Sequence, residues 1–370
     1  MSVCRVRTGI IGCGNISKAY ILTAQSFPIL ELAAVADIDV ERAKAKALEF
    51  NVPRGCSVEA LLTDKSIELV INLTIPKAHC EVALAALKAG KHVFNEKPLG
   101  ATVEEGRRIL EAASAAKLRV GCAPGTFLGG GLQTCRQLID SGAIGRPLAA
   151  TAFMTTPGHE RWHPSPEFYY EHGGGPMLDM GPYYITALAQ LLGPVKNVCG
   201  SATIVKPERT ITSEPKKGKK IIVETPDHVT GVLEFSGGAV ATIMTSFAIW
   251  HAHLPRIEIY GTDGTLSVPD PNTLKGPVSI RMANDGDWKD VGLTHGHNDG
   301  NKWGIGVADL AYAIRSGRPH RASGENAYHV LEVMHSFFTS AKEGRRIEIT
   351  SPFTRPAPLP RGLAADALDE

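Results

Sequence analysis

The chain has little of what secreted, membrane-spanning or nucleic-acid-binding proteins depend on. Its seven cysteines are an odd number without a Cys-x-x-Cys pair, so they indicate neither a disulfide framework nor a cysteine metal site. No apolar run approaches the roughly 20 residues of a membrane span, and no leader-like apolar stretch follows Met1. With 39 basic and 38 acidic residues, the chain has no field that would attract nucleic acid or anionic lipid. We therefore expect a cytoplasmic protein that binds neither nucleic acid nor membrane.

What the chain does have is the composition of a folded protein. Hydrophobic residues make up 43% of its 370 residues and charged residues 21%, which favours a well-buried interior. This length favours two domains. The basic run Lys216–Lys220 is a local exception, which we interpret as the exposed tip of a hairpin.

The first third of the chain alternates short β-branched runs with helical patterns. The predicted strands are Val6–Ile11, Leu30–Ala36, Leu69–Thr74, His92–Asn95 and Arg119–Ala123. The helical patterns between them include Val40–Glu49, Lys77–Ala89 and Val103–Ala116. Such alternation is typical of βαβ units, so residues 1–125 are predicted to form an α/β domain with a doubly wound parallel sheet of the Rossmann type.

The pattern changes after a helical stretch near Gly131–Ser141. Strand-like runs Val229–Phe235, Val240–Ile249, Arg256–Tyr260 and Thr265–Val268 are joined by turns too short for parallel crossovers. Residues 126–350 are therefore predicted to form an α+β domain with an open, mostly antiparallel sheet, covered by helices over Pro176–Leu192 and Asn326–Lys342. The Pro-rich tail, residues 351–370, is expected either to follow the surface or to be disordered.

A Gly-x-Gly turn closes the first predicted strand and opens the first helix. Gly12 allows the tight turn, and Gly14 lets the backbone of Asn15 and Ile16 approach a pyrophosphate at the helix N-terminus. Asp37 follows at the end of the second strand, where a carboxylate binds ribose hydroxyls and repels a 2′-phosphate. The pattern predicts binding of NAD rather than NADP. A structural glycine turn with a helix-capping Asp37 is the alternative.

Two further motifs complete a specific combination. Glu96-Lys97-Pro98 follows a strand at the sheet edge where ligands bind, and Gly173–Tyr183 is a Gly-rich loop leading into a helix with Asp179 and Tyr183 four apart. With the Gly-x-Gly turn, these motifs resemble the glucose-fructose oxidoreductase / inositol dehydrogenase / rhizopine catabolism (Gfo/Idh/MocA) family. The resemblance covers about residues 5–350.

The resemblance implies an order of residues around a bound nicotinamide. It places Glu96 and Lys97 beside the ring, and it makes Asp179 and Tyr183 the catalytic partners of Lys97, where many members have His in place of this tyrosine. It also assigns the turn Thr74-Ile75-Pro76, followed by His79, to the nicotinamide half of the cofactor. The chain departs from the family at Lys77 and over 124–127, which implies a differently shaped substrate floor.

The chemistry of these side chains is coherent. Oxidation of a carbinol sends a hydride to the nicotinamide and the hydroxyl proton to a base. Tyr183 has to ionise to act as that base, and Lys97 with the positive nicotinamide would favour the phenolate. Asp179 is better suited to orienting a substrate hydroxyl and holding Lys97. The alternatives are a surface lysine, a helix-stabilising aspartate and a core tyrosine, with Tyr184 as the rival of Tyr183.

The loop 156–172 carries aromatic and histidine side chains just before the Gly-rich turn. Trp162 and His163 are candidates for lining a sugar pocket, and an ordinary surface loop is the alternative. His251-x-His253 and His295-x-His297 have strand-like spacing, but nothing completes a metal site, so no metal is expected.

The sequence thus predicts an NAD-dependent dehydrogenase acting on a secondary hydroxyl of a sugar, glycoside or cyclitol. Its alternatives are a reductase of a keto-sugar or dihydrodiol-type substrate and a non-catalytic NAD(P) sensor. Exposed strands of an open sheet favour burial between subunits, so a homodimer or homotetramer is expected.

Overall fold

A six-stranded parallel sheet forms the first domain of the computed structural model, which describes residues 4–298 and 302–369. Its strands are β1 (Val6–Ile11), β2 (Leu30–Ala36), β3 (Gly55–Cys56), β4 (Leu69–Asn72), β5 (His92–Asn95) and β6 (Val120–Cys122), in the order β3-β2-β1-β4-β5-β6. The connecting helices are α1 (Ser17–Ser26), α2 (Val40–Glu49), α3 (Val58–Thr63), α4 (Pro76–Lys88) and α5 (Val103–Ala116). The predicted doubly wound sheet is confirmed. Its strand order reverses between β1 and β4, where such sheets bind ligands.

A second, nine-stranded sheet dominates the rest of the chain. It consists of β7 (Pro147–Thr155), β8 (Val195–Thr203), β11 (His228–Phe235), β12 (Val240–Ser246), β13 (Ile257–Gly261), β14 (Gly264–Val268), β15 (Val278–Met282), β16 (Lys289–Val291) and β17 (Ile347–Glu348). Its order is β16-β15-β14-β13-β7-β12-β11-β8-β17, and β7 and β12 are its parallel pair. A small hairpin joins β9 (Glu208–Thr210) to β10 (Lys220–Ile222), with the predicted lysine-rich turn at its tip. The open, mostly antiparallel sheet is confirmed.

Helices cover one face of this sheet. They are α6 (Gly130–Asp140), α7 (Gly175–Asp179), α8 (Gly181–Leu192) and α10 (Gly324–Glu343), while α9 (Ile305–Ser316) packs on β1 and β6 of the first sheet. The twenty-residue α10 contacts both β8 and α5, so it bridges the two domains. Apolar side chains alternate along the strands toward these helices, and Val229, Leu233 and Ile243 are fully buried.

The single helix predicted over Pro176–Leu192 is wrong in one detail. The helix breaks at Met180, between α7 and α8, because Pro182 has no N–H to continue the ladder. Met180 N–H closes the first helix on the carbonyl of Pro176 at 3.0 Å, and Tyr183 N–H bonds the carbonyl of Met180 at 3.1 Å. Asp179 and Tyr183 therefore lie on successive helices rather than along one continuous face.

The C-terminal segment follows the surface. Leu359 and Leu368 are buried, and the Leu359 N–H donates to Gln133 Oε1 at 2.8 Å. Asp369 accepts from Arg318 at 2.8 Å, so the segment is attached at both of these places. Across the described residues, 4–298 and 302–369, no helix has the length and apolar character needed to cross a membrane.

Candidate active site

The turn between β1 and α1 has the geometry of a pyrophosphate cradle. Gly12 has φ +103°, and a Cβ there would lie 2.6 Å from the carbonyl oxygen of Leu73, so only glycine fits. Gly14 has open space where its Cβ would be, while Asn15 is exposed beside it. No side chain caps α1 at Ile16. The Ser17 and Ala19 N–H groups donate to the carbonyls of Gly14 and Ile16, at 3.2 and 3.0 Å, so a ligand would be bound by the other N–H groups of this turn.

Asp37 follows the end of β2 and lies at the edge of the same turn. Its carboxylate accepts the Cys13 N–H at 2.8 Å and the Asp39 N–H at 3.0 Å, and it is almost fully buried. The exposed Arg42 forms an ion pair with this carboxylate, with a distance of 3.7 Å from its guanidinium to Asp37 Oδ1. The open Gly14, the uncapped helix and this anchored carboxylate together fit the adenosine and pyrophosphate of a dinucleotide.

The turn after β4 is tied to the Glu96-Lys97-Pro98 turn by His79. Its ring nitrogens contact the carbonyl oxygen of Pro98 at 2.7 Å and that of Thr74 at 2.9 Å, and burial lowers the pKa of this imidazole. His79 is 1% exposed, so its ring is enclosed between the two turns. These contacts let His79 position both turns, and its assignment to the nicotinamide half of the cofactor stays a prediction.

Lys97 and Asp179 form an ion pair between the two domains. Lys97 Nζ lies 2.7 Å from Asp179 Oδ1 and 2.8 Å from the Asp179 carbonyl oxygen, and both side chains are about 15% exposed. Burial opposes the charge of Lys97, but Asp179 and Glu96 outweigh it and raise the Lys97 pKa. Burial likewise opposes ionisation of Asp179, yet Lys97 and His159 hold its pKa well below the usual range. The pair stays charged, as a lysine that binds a reacting oxygen requires.

Tyr183 lies beneath this pair. Lys97 Nζ is 5.3 Å from the centre of its ring, and Tyr183 is 5% exposed. Burial, followed by the charges of Glu96 and Asp179, raises the pKa of Tyr183 well above its usual value. That Lys97 together with a positive nicotinamide would favour the phenolate stays a prediction. The Lys97 ammonium faces the Tyr183 ring, and the loss of hydration on burial is the largest contribution to the raised pKa of Tyr183. Tyr184 is instead near Asp270 and Arg256, away from Lys97.

The turn at Glu96 is rigid. Glu96 accepts the Tyr20 hydroxyl at 2.6 Å on one oxygen and the Lys97 N–H at 2.9 Å on the other. Tyr20 belongs to α1, so this carboxylate connects the cofactor cradle to the lysine. Glu96 therefore holds the Lys97 backbone, and its charge also acts on Lys97 and Tyr183.

The loop after β7 brings an imidazole to Asp179 that the motifs do not predict. His159 Nε2 lies 3.2 Å from Asp179 Oδ2. The centre of the His163 ring lies 5.4 Å from that of Tyr169, and Trp162 is 57% exposed on the same loop. The one sequence signal for His159 was its place in an aromatic loop beside the Gly-rich turn, which it shared with two other histidines.

The histidine pairs considered for a metal lie elsewhere. His251 and His253 are exposed, whereas His295 contacts the carbonyl oxygen of Leu359 at 3.1 Å. Among residues 4–298 and 302–369, no group of three metal-ligating side chains comes together.

Two family models and several known proteins match this chain. The model of the oxidoreductase family with an NAD-binding Rossmann fold matches residues 6–123, and that of the GFO/IDH/MocA C-terminal domain matches 132–267. The chain is 30% identical to 1,5-anhydro-D-fructose reductase of Ensifer adhaerens over 75% of its own length and 80% of the relative's. It is 30% identical to inositol 2-dehydrogenase 3 of Saccharopolyspora erythraea over 77% and 80%.

Solved structures share the fold. A levoglucosan dehydrogenase in complex with NADH and L-sorbose superposes with a TM-score of 0.81 at 23% identity, over 94% of this chain and 99% of the other. An NAD-binding oxidoreductase from Klebsiella pneumoniae gives a TM-score of 0.82 at 21% identity, over 94% and 100%. From its matched domains and its relatives, the chain belongs to the Gfo/Idh/MocA family of oxidoreductases and carries that family's NAD-binding Rossmann fold.

Proposed function

We propose that this protein is an NAD-dependent oxidoreductase that acts on a secondary hydroxyl of a sugar, glycoside or cyclitol. The observation that carries the proposal is the buried Lys97–Asp179 ion pair, which joins the carboxyl edge of β5 to the second domain beside the cofactor cradle. Relatives named as 1,5-anhydro-D-fructose reductase, inositol 2-dehydrogenase and levoglucosan dehydrogenase support this substrate class. We also propose a cytoplasmic homodimer or homotetramer.

The cofactor would lie along the carboxyl edge of the first sheet. Gly12, Gly14, Asn15 and Ile16 would hold the pyrophosphate, and Asp37 the adenosine ribose. Thr74, Pro76, Glu96 and Lys97 would line the nicotinamide half. Bound there, the nicotinamide supplies the acceptor or donor of the hydride.

The protein's own groups handle the oxygen and its proton. The Lys97 ammonium would bind the reacting oxygen and stabilise negative charge on it, and Asp179 keeps that ammonium charged and in place. In reduction the neutral phenol of Tyr183 would donate a proton to that oxygen, and in oxidation Tyr183 would first have to ionise so that its phenolate could accept the hydroxyl proton. Trp162 and His163, on the loop beyond Asp179, would contact the rest of the sugar.

A second candidate is the reduction of a keto-sugar or dihydrodiol-type carbonyl. The raised pKa of Tyr183 favours it, because a buried neutral phenol is a proton donor to the oxygen formed when hydride reaches a carbonyl. A non-catalytic NAD(P) sensor would have no need to bury a charged lysine and aspartate at the nicotinamide edge.

The test is turnover with a panel of sugars, cyclitols and their ketones, followed by NADH absorbance in both directions. Lys97→Met should lower kcat by at least about 10²-fold while leaving NADH affinity nearly unchanged. Lys289→Met is the matched control, because Lys289 is an exposed lysine paired with Asp285 at the far sheet edge, and it should keep full activity. NADH binding without turnover of any panel member would favour the sensor and contradict the proposal.

A further inference from the structure

His159 is the part of the site that neither the motifs nor the proposed mechanism uses. It lies at the start of a helical turn after β7, and its carbonyl accepts the N–H groups of Trp162 at 3.2 Å and His163 at 3.0 Å. Its imidazole is 11% exposed and packs between the rings of Tyr169 and Phe247, at centre distances of 4.3 and 4.5 Å. A polar ring held this closely has a fixed orientation.

The contacts of its two nitrogens define where its proton lies. Trp162 Nε1 is 3.1 Å from His159 Nδ1, and an indole N–H can only donate. His159 Nδ1 must therefore be the acceptor and carry no proton. The ring proton is then on Nε2, 3.2 Å from Asp179 Oδ2. Hydrogen bonds run in one direction, from Trp162 through His159 to Asp179.

This arrangement fixes the Asp179 carboxylate from the side opposite Lys97. Oδ2 accepts from His159, while Oδ1 and the Asp179 carbonyl accept from the Lys97 ammonium. With both oxygens engaged by donors on different elements, the carboxylate cannot rotate without losing a charge-assisted hydrogen bond. The position of the Lys97 ammonium thus depends on His159 through Asp179.

A buried network holds the backbone of His159. Its N–H donates to the Tyr170 hydroxyl at 2.9 Å, and that hydroxyl donates in turn to Glu160. Arg209, with a side chain 1% exposed, donates to Glu160 at 3.0 Å and to Asp227 at 2.7 Å. The backbone that carries the His159 imidazole is therefore held by a network of buried hydrogen bonds and ion pairs.

We propose that His159 is a positioning residue of the reaction, held as the Nε2–H tautomer between Trp162 and Asp179 so that it orients Asp179 and, through it, Lys97. The proposal rests on the proposed function, because it assigns His159 to the same reaction. The imidazole reaches Asp179 from the loop after β7.

The first test reads the tautomer in the substrate-free protein. Long-range ¹H–¹⁵N spectra of histidine-labelled protein should show Nδ1 without a proton and Nε2 with one. Trp162→Phe keeps an aromatic ring but removes the donor to Nδ1, so the Nδ1 resonance of His159 should shift while Asp179 still holds the proton on Nε2. Trp288→Phe, at an exposed tryptophan just before β16, is the control and should leave the His159 signals unchanged. A proton on Nδ1 of the wild-type ring would overturn the proposal.

The second test separates positioning from general structural support. His159→Leu removes the donor and should lower kcat about 10- to 100-fold, the cost typical of losing a partner that orients a functional group. KM and NADH affinity should change much less. His159→Gln keeps an N–H that can reach Asp179 and should restore most of kcat. Full activity of His159→Leu, or a His159→Gln as impaired as His159→Leu, would overturn the proposal.

Failure of the proposed function can be told apart from failure of this proposal. If the wild-type protein turned over no panel member, the ¹⁵N resonance of the Lys97 ammonium would still report its position. A shift of that resonance in His159→Leu supports the proposal, and an unchanged resonance overturns it.

Discussion

Lys97 and Tyr183 are adjacent in the site but carry different chemical properties. The ammonium of Lys97 faces the Tyr183 ring at 5.3 Å, and Asp179 keeps it protonated. Burial keeps the phenol protonated as well. Lys97 can therefore bind an oxygen through charge, whereas Tyr183 can offer its proton without being charged.

Tyr183→Phe should lower the rate of carbonyl reduction by about 10²-fold, the usual cost of losing a proton donor. Phenylalanine keeps the ring under the Lys97 ammonium, so the loss reports the hydroxyl alone. Because the raised pKa keeps the phenol neutral, wild-type kcat for reduction should not fall from loss of this proton up to pH 10. Steady-state kinetics from pH 6 to 10 measure both effects.

Tyr184→Phe is the matched control for that substitution. Tyr184 is equally buried but lies near Asp270 and Arg256, so its loss should leave kcat within about threefold, because the neighbouring position on a helix turns ~100° away. A severe loss in Tyr184→Phe with a mild one in Tyr183→Phe would reverse the assignment.

Asp37 should make the protein prefer NADH to NADPH. Its carboxylate is fixed by the N–H groups of Cys13 and Asp39, and a 2′-phosphate would have to approach a buried negative charge. Fluorescence titration should show NADH binding at least about tenfold more tightly, which corresponds to about 1.4 kcal/mol. Asp37→Ala should narrow that gap. Equal affinities in the wild-type protein would contradict this role of Asp37.

Residues whose roles follow from local motifs could be predicted from the sequence, and the others could not. Lys97 and Asp179 come from spaced motifs, and the structure brings them within 2.7 Å of each other. His159 has no such spacing, because its contact with Asp179 depends on how the loop after β7 folds. The pKa direction of Tyr183 also required the structure, since desolvation is a property of the packed site.

At the scale of the elements, we expect the two glycines of the β1–α1 turn to have different roles, Gly12 in folding and Gly14 in binding the cofactor. Gly12→Ala forces a Cβ against the Leu73 backbone at positive φ, so it should lower the free energy of unfolding by about 1–3 kcal/mol. Gly14→Ala meets open space and should leave stability nearly unchanged. It should nevertheless weaken NADH binding, because its methyl group enters the cradle.

Thermal unfolding and NADH titration of the two variants check this pair. The expected result is a lowered Tm for Gly12→Ala and a normal Tm with weaker NADH binding for Gly14→Ala. Tight NADH binding by Gly14→Ala would show that the pyrophosphate does not approach this turn.

Periodic elements were predicted best, and irregular ones least. The patterns of β1, β2, α2 and α5 match the structure from end to end. The two strands are short runs buried on both faces, and the two helices have one buried face and clear ends, such as the capping box of Thr102 and Glu105. The break at Met180 was not predicted, because the single helix over Pro176–Leu192 takes no account of the missing N–H of Pro182. Helix α9 was not predicted, because eight of its twelve residues are buried and it shows no polar face.

At the scale of the whole molecule, the segments after residue 302 tie the two domains together. Helix α9 packs on the first sheet, α10 contacts both α5 and β8, and the C-terminal segment is held by Arg318 through Asp369. The relative placement of Lys97 from the first domain and Asp179 from the second thus depends on chain that lies far from both in sequence. No local pattern could have indicated this connection.

The open face of the nine-stranded sheet is where we expect a second copy of the chain to bind. Val232, Thr242, Met244 and Phe153 are cross-strand neighbours on that face, opposite the buried side chains that contact the helices. Met244→Lys places a charge at the centre of this face, which a partner subunit would have to desolvate. The variant should therefore run as a 39.5 kDa monomer by light scattering at micromolar concentration, while the wild-type protein has a multiple of that mass. Leu48→Lys, at an 83% exposed apolar position on α2, should keep the wild-type mass. A monomeric wild-type protein would contradict the proposed assembly, and a dimeric Met244→Lys would place the interface on another surface.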